Sequence, residues 1–314
     1  MKVIKVSQQG FCNGVKRALS LVDKTINDNA SNKQIYILGD IINNRFISNE
    51  LKQKSVITIP SNGRKRIEML KEIKDGIVIL TAHGVSPQVI EYLETNNIEY
   101  VDATCPFVLN VHDRIKRYLD NDYTIIYVGK HNHPESEGVL GINYKEIKLV
   151  TRVDDIKNIN IKSDKILIDT QTTLSNFYTK PIIDELLLKY PHAVVASGVC
   201  DATTIRQEAL INELEGDLCI VVGDQNSSNA NELLQIAKRY IPAYLINHVS
   251  EIKKEWLLDV NVVTLTSAAS TPSVLTDEIY EYLLNYTWFI QVFFLGVSSS
   301  GVLVILRSLA VISR

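Results

Sequence analysis

The sequence is short of several things. It has no excess of charge, since 33 Lys and Arg set against 36 Asp and Glu leave a net charge of −3 and a pI near 6.1. No global basic field draws it to nucleic acid. Its one compact basic cluster, Arg64-Lys65-Arg66, reads as a solvated face. The opening stretch MKVIKVSQQG has no apolar run of the kind that leads a secreted protein. Only four cysteines are present, and without a leader they point to a reducing, cytoplasmic setting. There thiols serve as ligands or nucleophiles more often than as disulfides. Composition is otherwise that of an ordinary globular chain, with 314 residues for two or three cores.

What is present is a repeat. Cys12, Cys105 and Cys200 are 93 and 95 residues apart. Each opens a helix-like segment: CNGVKRALSLVDKTI, CPFVLNVHDRIKRYL and CDATTIRQEALINEL. In the first, Val15, Ala18, Leu19 and Val22 share one helical face. Each helix leads to an apolar β-branched run that ends in glycine: IYILGDIINN, TIIYVGKHNH and LCIVVGDQNSSN. In these, Asn43, His133 and Ser227 follow their cysteines by 31, 28 and 27 residues. A second strand-like run recurs in GIVILTAHGVSP, KILIDTQTTLS and VVTLTSAASTP, which places His83, Thr172 and Ser270 at offsets of 71, 67 and 70. The chain thus reads as three copies of a helix–strand–loop–helix–strand–loop unit.

Strands alternating with helices at these lengths imply α/β domains with parallel sheets and right-handed crossovers. Polar loops beyond the carboxyl ends of such strands line the binding crevice. If the units pack about a pseudo-threefold axis, the three cysteines and the paired loops meet at one cavity. The expected domains are 1–104, 105–196 and 197–284, with an apolar tail from 285 to 314.

Three converging thiolates suit a soft metal. Zinc in a structural site asks for a fourth protein ligand, and none keeps the repeat's spacing. An iron–sulfur cluster on three cysteines leaves one iron open. Cys219, inside DLCIVVG, reads instead as a core residue. His83, His133, Ser227, Ser228, Asn229 and Ser270 suit phosphate oxygens. Asn, Ser and Gly also close turns, but the matched histidines favour the anion site. Glu135, beside His133, is placed to donate a proton. Lys130 and Glu137 read as solvated loop-edge residues. His131 reads as a loop-surface histidine and His112 as a helix-face one.

The segments GFCNGVKRAL, TAHGVS, DATCP, HPESEG, QTTLS, ATTIRQ, NSSNANEL and SAASTP, in order from Phe11 to about Pro272, together resemble 4-hydroxy-3-methylbut-2-enyl diphosphate reductase. The resemblance implies a trefoil of three α/β domains around a 4Fe–4S cluster held by Cys12, Cys105 and Cys200. It implies an allylic diphosphate substrate gripped by His83, His133, Ser227, Ser228, Asn229 and Ser270. Glu135 would deliver protons through Thr172 and the substrate hydroxyl, with electrons from a ferredoxin or flavodoxin. The products would be isopentenyl and dimethylallyl diphosphate, the last step of the non-mevalonate isoprenoid pathway. Asn43 stands where the family usually has histidine, so one contact to phosphate loses its capacity for charge. A quinolinate-synthase-like lyase and a non-catalytic zinc scaffold are the rival readings.

The family usually ends soon after the helix corresponding to Pro272–Leu284. Here a run without formal charge continues from Tyr282 to Leu306. Three readings fit it: a membrane anchor flanked by Arg307 and Arg314, a frameshifted gene end, or an apolar segment packed on the body or a partner.

Overall fold

The structure, a computed structural model, describes residues 1–196 and 198–294, with side chains as far as Tyr286. The chain begins with strand β1 (Lys2–Lys5). It then builds α1 (Asn13–Asp28), β2 (Ile35–Leu38), α2 (Arg45–Gln53), β3 (Ile57–Ile59), α3 (Arg66–Leu70), β4 (Ile77–Leu80), α4 (Pro87–Thr95) and β5 (Glu99–Asp102). The second unit runs through α5 (Pro106–Leu119), β6 (Thr124–Val128), α6 (Pro134–Leu140), β7 (Ile147–Val150), β8 (Ile166–Thr170), α7 (Asn176–Lys189) and β9 (Val194–Val195). The third contains α8 (Asp201–Glu213), β10 (Leu218–Val222), α9 (Ser228–Ala237), β11 (Ala243–Ile246), β12 (Val262–Ser267) and α10 (Ser273–Phe294).

Among the described residues three four-stranded sheets result, ordered β3-β2-β4-β5, β7-β6-β8-β9 and β11-β10-β12-β1, with every pairing parallel. The central strands are apolar throughout because both faces are covered: IVIL in β4 is buried at every position. Alternate side chains feed opposite faces, so Ile77 and Ile79 join the core under α1 and α2, whereas Val78 and Leu80 join the other. Cys219 is fully buried in the third unit, as a core residue should be. Helices such as α1 turn an apolar stripe to a sheet. In α1 the buried residues are Val15, Ala18, Val22 and Thr25. Pro87, Pro106 and Pro134 each occupy a first helical position, where a missing N–H costs nothing.

Two strands per unit escaped the sequence reading, because the outer strands are only two to four residues long. Sheet membership also departs from the 1–104 division. Lys2–Lys5 pairs with β12, in register Lys2 to Val262 and Lys5 to Leu265, and so completes the third sheet. The pseudo-threefold pattern is thereby closed. In each unit the fourth strand (β5, β9 or β1) leads directly to a cysteine, which caps the first helix of the next unit in the ring.

The tail does not begin as expected at residue 285. Helix α10 continues unbroken to Phe294, its first turns packed on the third sheet through Leu275, Ile279 and Leu283. The rest of the apolar run, 295–314, lies outside the described residues. Among the described residues, no helix is long and apolar enough to cross a membrane.

Candidate active site

The three cysteines are held alike. Each has extended backbone at the N-cap of its helix, with ψ of 168° at Cys12, 134° at Cys105 and 150° at Cys200. Each backbone N–H donates across to a loop that follows a central strand. Cys12 binds the Ala269 carbonyl at 3.2 Å, Cys105 that of Ala82 at 3.0 Å, and Cys200 that of Thr172 at 3.1 Å. These bonds set every cysteine beside a predicted substrate-loop residue: Ser270, His83 or Thr172.

The sulfurs sense one another. Burial pushes the Cys105 thiol up, and the charges of Cys12 and Cys200 push it further, against the Phe107 and Val108 N–H groups that pull it down. Burial likewise raises Cys200, with Glu135 and Cys12 adding to it, while the Thr203 hydroxyl at 3.1 Å opposes. Gly14 makes the approach feasible, since a Cβ there would lie 2.6 Å from the Cys105 Sγ. Arg206, buried on α8, sits close enough to Cys12 and Cys200 for their charges to act on it. Its guanidinium ties the first unit to the third by donating to the Gly10 carbonyl at 2.6 Å, and its Nε has no partner.

Three half-buried thiols from three units, with the buried Arg206 guanidinium beside them, make a donor set that a metal centre would stabilise. Among the described residues, no three His, Cys, Asp or Glu side chains close on the position of a single ion.

Beside the His83 loop, whose Ala82 carbonyl takes the Cys105 N–H, opens a cavity of about 1210 Å³, lined by residues of all three units, among them Asn43, Arg66, His83, Lys130, His133 and Ser228. His133 caps α6, its Nδ1 accepting from the Glu135 N–H at 3.2 Å, which leaves the proton of the neutral ring on Nε2. The His83 and His133 rings meet edge to face, with centroids 5.9 Å apart. Burial draws His83 down to about 3, helped by Arg66. Burial also holds His133 well below the usual histidine range, with His83, Lys130 and Arg66 adding to it. Both are neutral donors at pH 7.

The remaining predicted residues surround this lining. Ser227 caps α9, accepting from Ala230 N–H at 3.3 Å. Ser270 donates to the Asn43 carbonyl at 3.2 Å and lies 3.4 Å from the Ser227 hydroxyl. Asn229 uses Oδ1 to accept from Ala269 N–H at 2.9 Å, whereas its buried Nδ2 has no partner. The Asn43 carboxamide makes no hydrogen bond among the described residues.

Glu135 is buried in the first turn of α6. Its Oε2 accepts from both Thr172 N–H (3.0 Å) and Thr172 Oγ1 (2.8 Å). Burial nevertheless pushes its carboxyl up to about 7.

Several residues of the site read otherwise in the sequence. Arg66 is not part of a solvated face: it is buried and grips Glu137, with Nη1 to Oε2 at 2.8 Å and its backbone N–H to Oε1 at 2.7 Å. Glu137 and Lys130 are not solvated edges either, for Lys130 Nζ reaches Glu232 at 2.7 Å. Gln171, fully buried, accepts from Lys130 N–H at 3.0 Å and donates toward Ser228 at 3.4 Å. His131 is exposed, as expected. His112 is buried instead, packed against Gly84 and Gly138. The signals for Lys130 and Gln171 were available, because Gln171 immediately follows β8 and Lys130 stands two residues past β6, in loops that the repeat marks.

Comparison with known proteins agrees with this architecture. The family model described as LytB protein matches residues 3–284. The 4-hydroxy-3-methylbut-2-enyl diphosphate reductases of Bacillus velezensis and Bacillus cereus are 38% and 39% identical to the chain over 289 residues, 91% of this chain and of each relative. The solved structure of the E-1-hydroxy-2-methyl-but-2-enyl-4-diphosphate reductase from Plasmodium falciparum superposes with a TM-score of 0.84 at 34% identity, covering 90% of this chain and 88% of that one. A second, described as (E)-4-hydroxy-3-methyl-but-2-enyl diphosphate reductase, the terminal enzyme of the non-mevalonate pathway, gives 0.64 at 32% identity, covering 91% and 100%. With the family model spanning nearly all of the described chain, this protein belongs to the LytB protein family.

Proposed function

We propose that this chain is a 4-hydroxy-3-methylbut-2-enyl diphosphate reductase. It would cleave the allylic C–O bond of its substrate with two electrons and two protons, releasing water and isopentenyl or dimethylallyl diphosphate. Cys12, Cys105 and Cys200 would hold a 4Fe–4S cluster. Such a cluster, when bound, supplies single electrons to the reacting bond and an open iron beside it. The electrons would come from a small carrier of the ferredoxin or flavodoxin class.

The observation that carries this reading is the placement of a protonatable carboxyl and neutral anion-binding donors beside three convergent thiols. The Thr172 hydroxyl and N–H both meet the Glu135 Oε2. With Glu135 protonated, the Thr172 hydroxyl would turn to accept the carboxyl proton and to donate its own hydrogen to the substrate hydroxyl oxygen. A proton then passes from Glu135 to Thr172 as Thr172 gives its hydrogen to the departing oxygen, which leaves as water. His83, His133, Ser228 and the free Nδ2 of Asn229 would donate to the diphosphate. Asn43 would add a neutral donor.

The test is an oxygen-free assay of the cluster-reconstituted chain with dithionite, a viologen dye and the allylic diphosphate. The expected result is dye oxidation with isopentenyl and dimethylallyl diphosphate appearing at two electrons per product. Fully loaded protein that binds the substrate yet forms neither product would overturn the reading.

A further inference from the structure

A diphosphate brings two or three negative charges, and the donors assigned to it are all neutral. His83 and His133 are uncharged, as argued above, and Ser227, Ser228, Asn229, Ser270 and Asn43 cannot carry charge. A cavity that must hold a polyanion without a cation would be poorly matched to it. The cations at its wall are therefore of interest. Lys130 is committed to Glu232 and Arg64 to Glu72, while Lys65 and Lys145 are exposed lining residues open to solvent. Arg66 differs from all four.

Arg66 begins α3 at the end of a polar loop that turns through Asn62 and Gly63, both at positive φ. It is about nineteen-twentieths buried, at 5% exposure, yet still lines the cavity with His83, His133 and Asn43. One edge of its fork is fixed: Nη1 donates to Glu137. The rest is not. Its Nε is buried without a partner, and Nη2 donates to nothing among the described residues. Nη2 lies beside Gly39, 3.6 Å from where a Cβ would stand. The titratable groups that act on it are Glu137 and Asp40, and its own charge acts on both histidines. A buried guanidinium that spends one nitrogen on a carboxylate and keeps two in reserve is not explained by clamping the first unit to the second. An unsatisfied buried N–H is costly, and a ligand oxygen would remove that cost.

We propose that Arg66 is a further diphosphate-binding residue, whose guanidinium supplies the fixed positive charge of the anion site while Glu137 holds it at the wall. The inference rests on the reading of this cavity as a diphosphate site. Arginine suits the role because its planar fork can serve a carboxylate on one edge and a phosphate on the other.

The probe is inorganic pyrophosphate, titrated calorimetrically and without oxygen into the full-length, cluster-reconstituted protein and its R66Q, R66K and E137Q variants. R66Q is expected to weaken pyrophosphate binding at least about tenfold, the value of one charge-assisted contact. R66K should recover part of that loss, and E137Q, which loosens the guanidinium but keeps its charge, should lose clearly less than R66Q. In steady-state assays R66Q should raise KM and change kcat by less than about threefold, the mark of binding shared by ground and transition states. The proposal is overturned if R66Q binds pyrophosphate unchanged, if R66K is no better than R66Q, or if E137Q loses as much as R66Q. The last result would make the pair a mere clamp. Should R66Q not fold, the comparison of R66K with E137Q decides on the same terms. If the unaltered protein does not take pyrophosphate, the diphosphate reading itself falls. If it does and only the Arg66 variants behave alike, the larger reading stands without this residue.

Discussion

Among the described residues no cation acts on Glu135, which is 2% exposed, so its acidity is set chiefly by burial. Thr172 pulls the carboxyl down through two hydrogen bonds, but burial outweighs them and leaves it near 7 rather than the usual 4.5. A carboxyl at that value is half protonated near neutral pH, as a proton donor should be. Turnover is therefore expected to fall as pH rises through about 7, and Glu135→Gln should abolish that limb along with most of the rate. The same shift has a stability consequence. Because the folded carboxyl holds its proton more tightly than the unfolded one, its contribution is complete below 4.5 and is lost as pH climbs to about 7. His83 acts in the opposite sense: its folded value near 3 lies below 6.5, so it favours folding above 6.5 and loses that contribution as pH falls. Asn43 gives a third expectation at this scale. Its carboxamide is free at the cavity wall, so Asn43→His should place a donor there that can become charged against phosphate. KM should drop, by up to about tenfold for one charge-assisted bond. An unchanged KM would mean that asparagine serves as well.

At the scale of single elements, the construction depends on helix starts. Three cysteines cap three helices, each tied by its own N–H to a loop of the neighbouring unit. Gly14, at the second position of α1, is part of the same construction. Alanine there is a better helix former by about 1 kcal/mol, so α1 itself should gain. The added methyl would nevertheless stand 2.6 Å from the Cys105 Sγ, and the sulfur must move. Gly14→Ala is therefore expected to fold normally yet lose iron per chain and the broad visible absorbance of a reconstituted cluster. Full iron content would show that the thiols have slack. This scale also marks what the sequence disclosed. The cysteines, His83, His133, Thr172, Ser227 and Ser270 were legible because they recur at fixed intervals after strands that are themselves easy to read. Strands such as Ile57–Ile59 and Val194–Val195 were not, being too short to carry a period. Arg66 was hidden for a different reason. Within Arg-Lys-Arg nothing local separates a buried arginine from an exposed one, and its partner lies 71 residues away in another unit.

At the scale of the whole molecule, one ion pair among the described residues crosses each of the three interfaces between units. Arg66 meets Glu137 between the first and second, Lys130 meets Glu232 between the second and third, and Asp224 meets Arg45 between the third and first. Lys130 and Asp224 occupy equivalent places, two residues past the ends of β6 and β10. The ring of units is thus fastened around the cavity as well as through β1. The fastenings differ in weight according to burial. Glu232 is 5% exposed and also takes the Ser175 hydroxyl at 2.6 Å, so its ion pair with Lys130 sits where little water reaches the carboxylate. Removing its cation leaves a buried charge unpaired, which costs roughly 3–5 kcal/mol in a fully buried pair. Because Lys130 keeps 31% exposure, the cost of Lys130→Gln should be nearer about 2 kcal/mol. Adding Glu232→Gln removes the stranded charge and leaves an amide that Ser175 can still reach, so the double variant should recover part of the loss. By contrast, Lys157→Gln breaks a pair exposed on both sides and should change stability by less than about 0.5 kcal/mol. Thermal unfolding of the four proteins at one pH and one iron content measures all of this. If Lys130→Gln and the double variant melt together, Glu232 is not a stranded charge, and the pair does not fasten the second unit to the third.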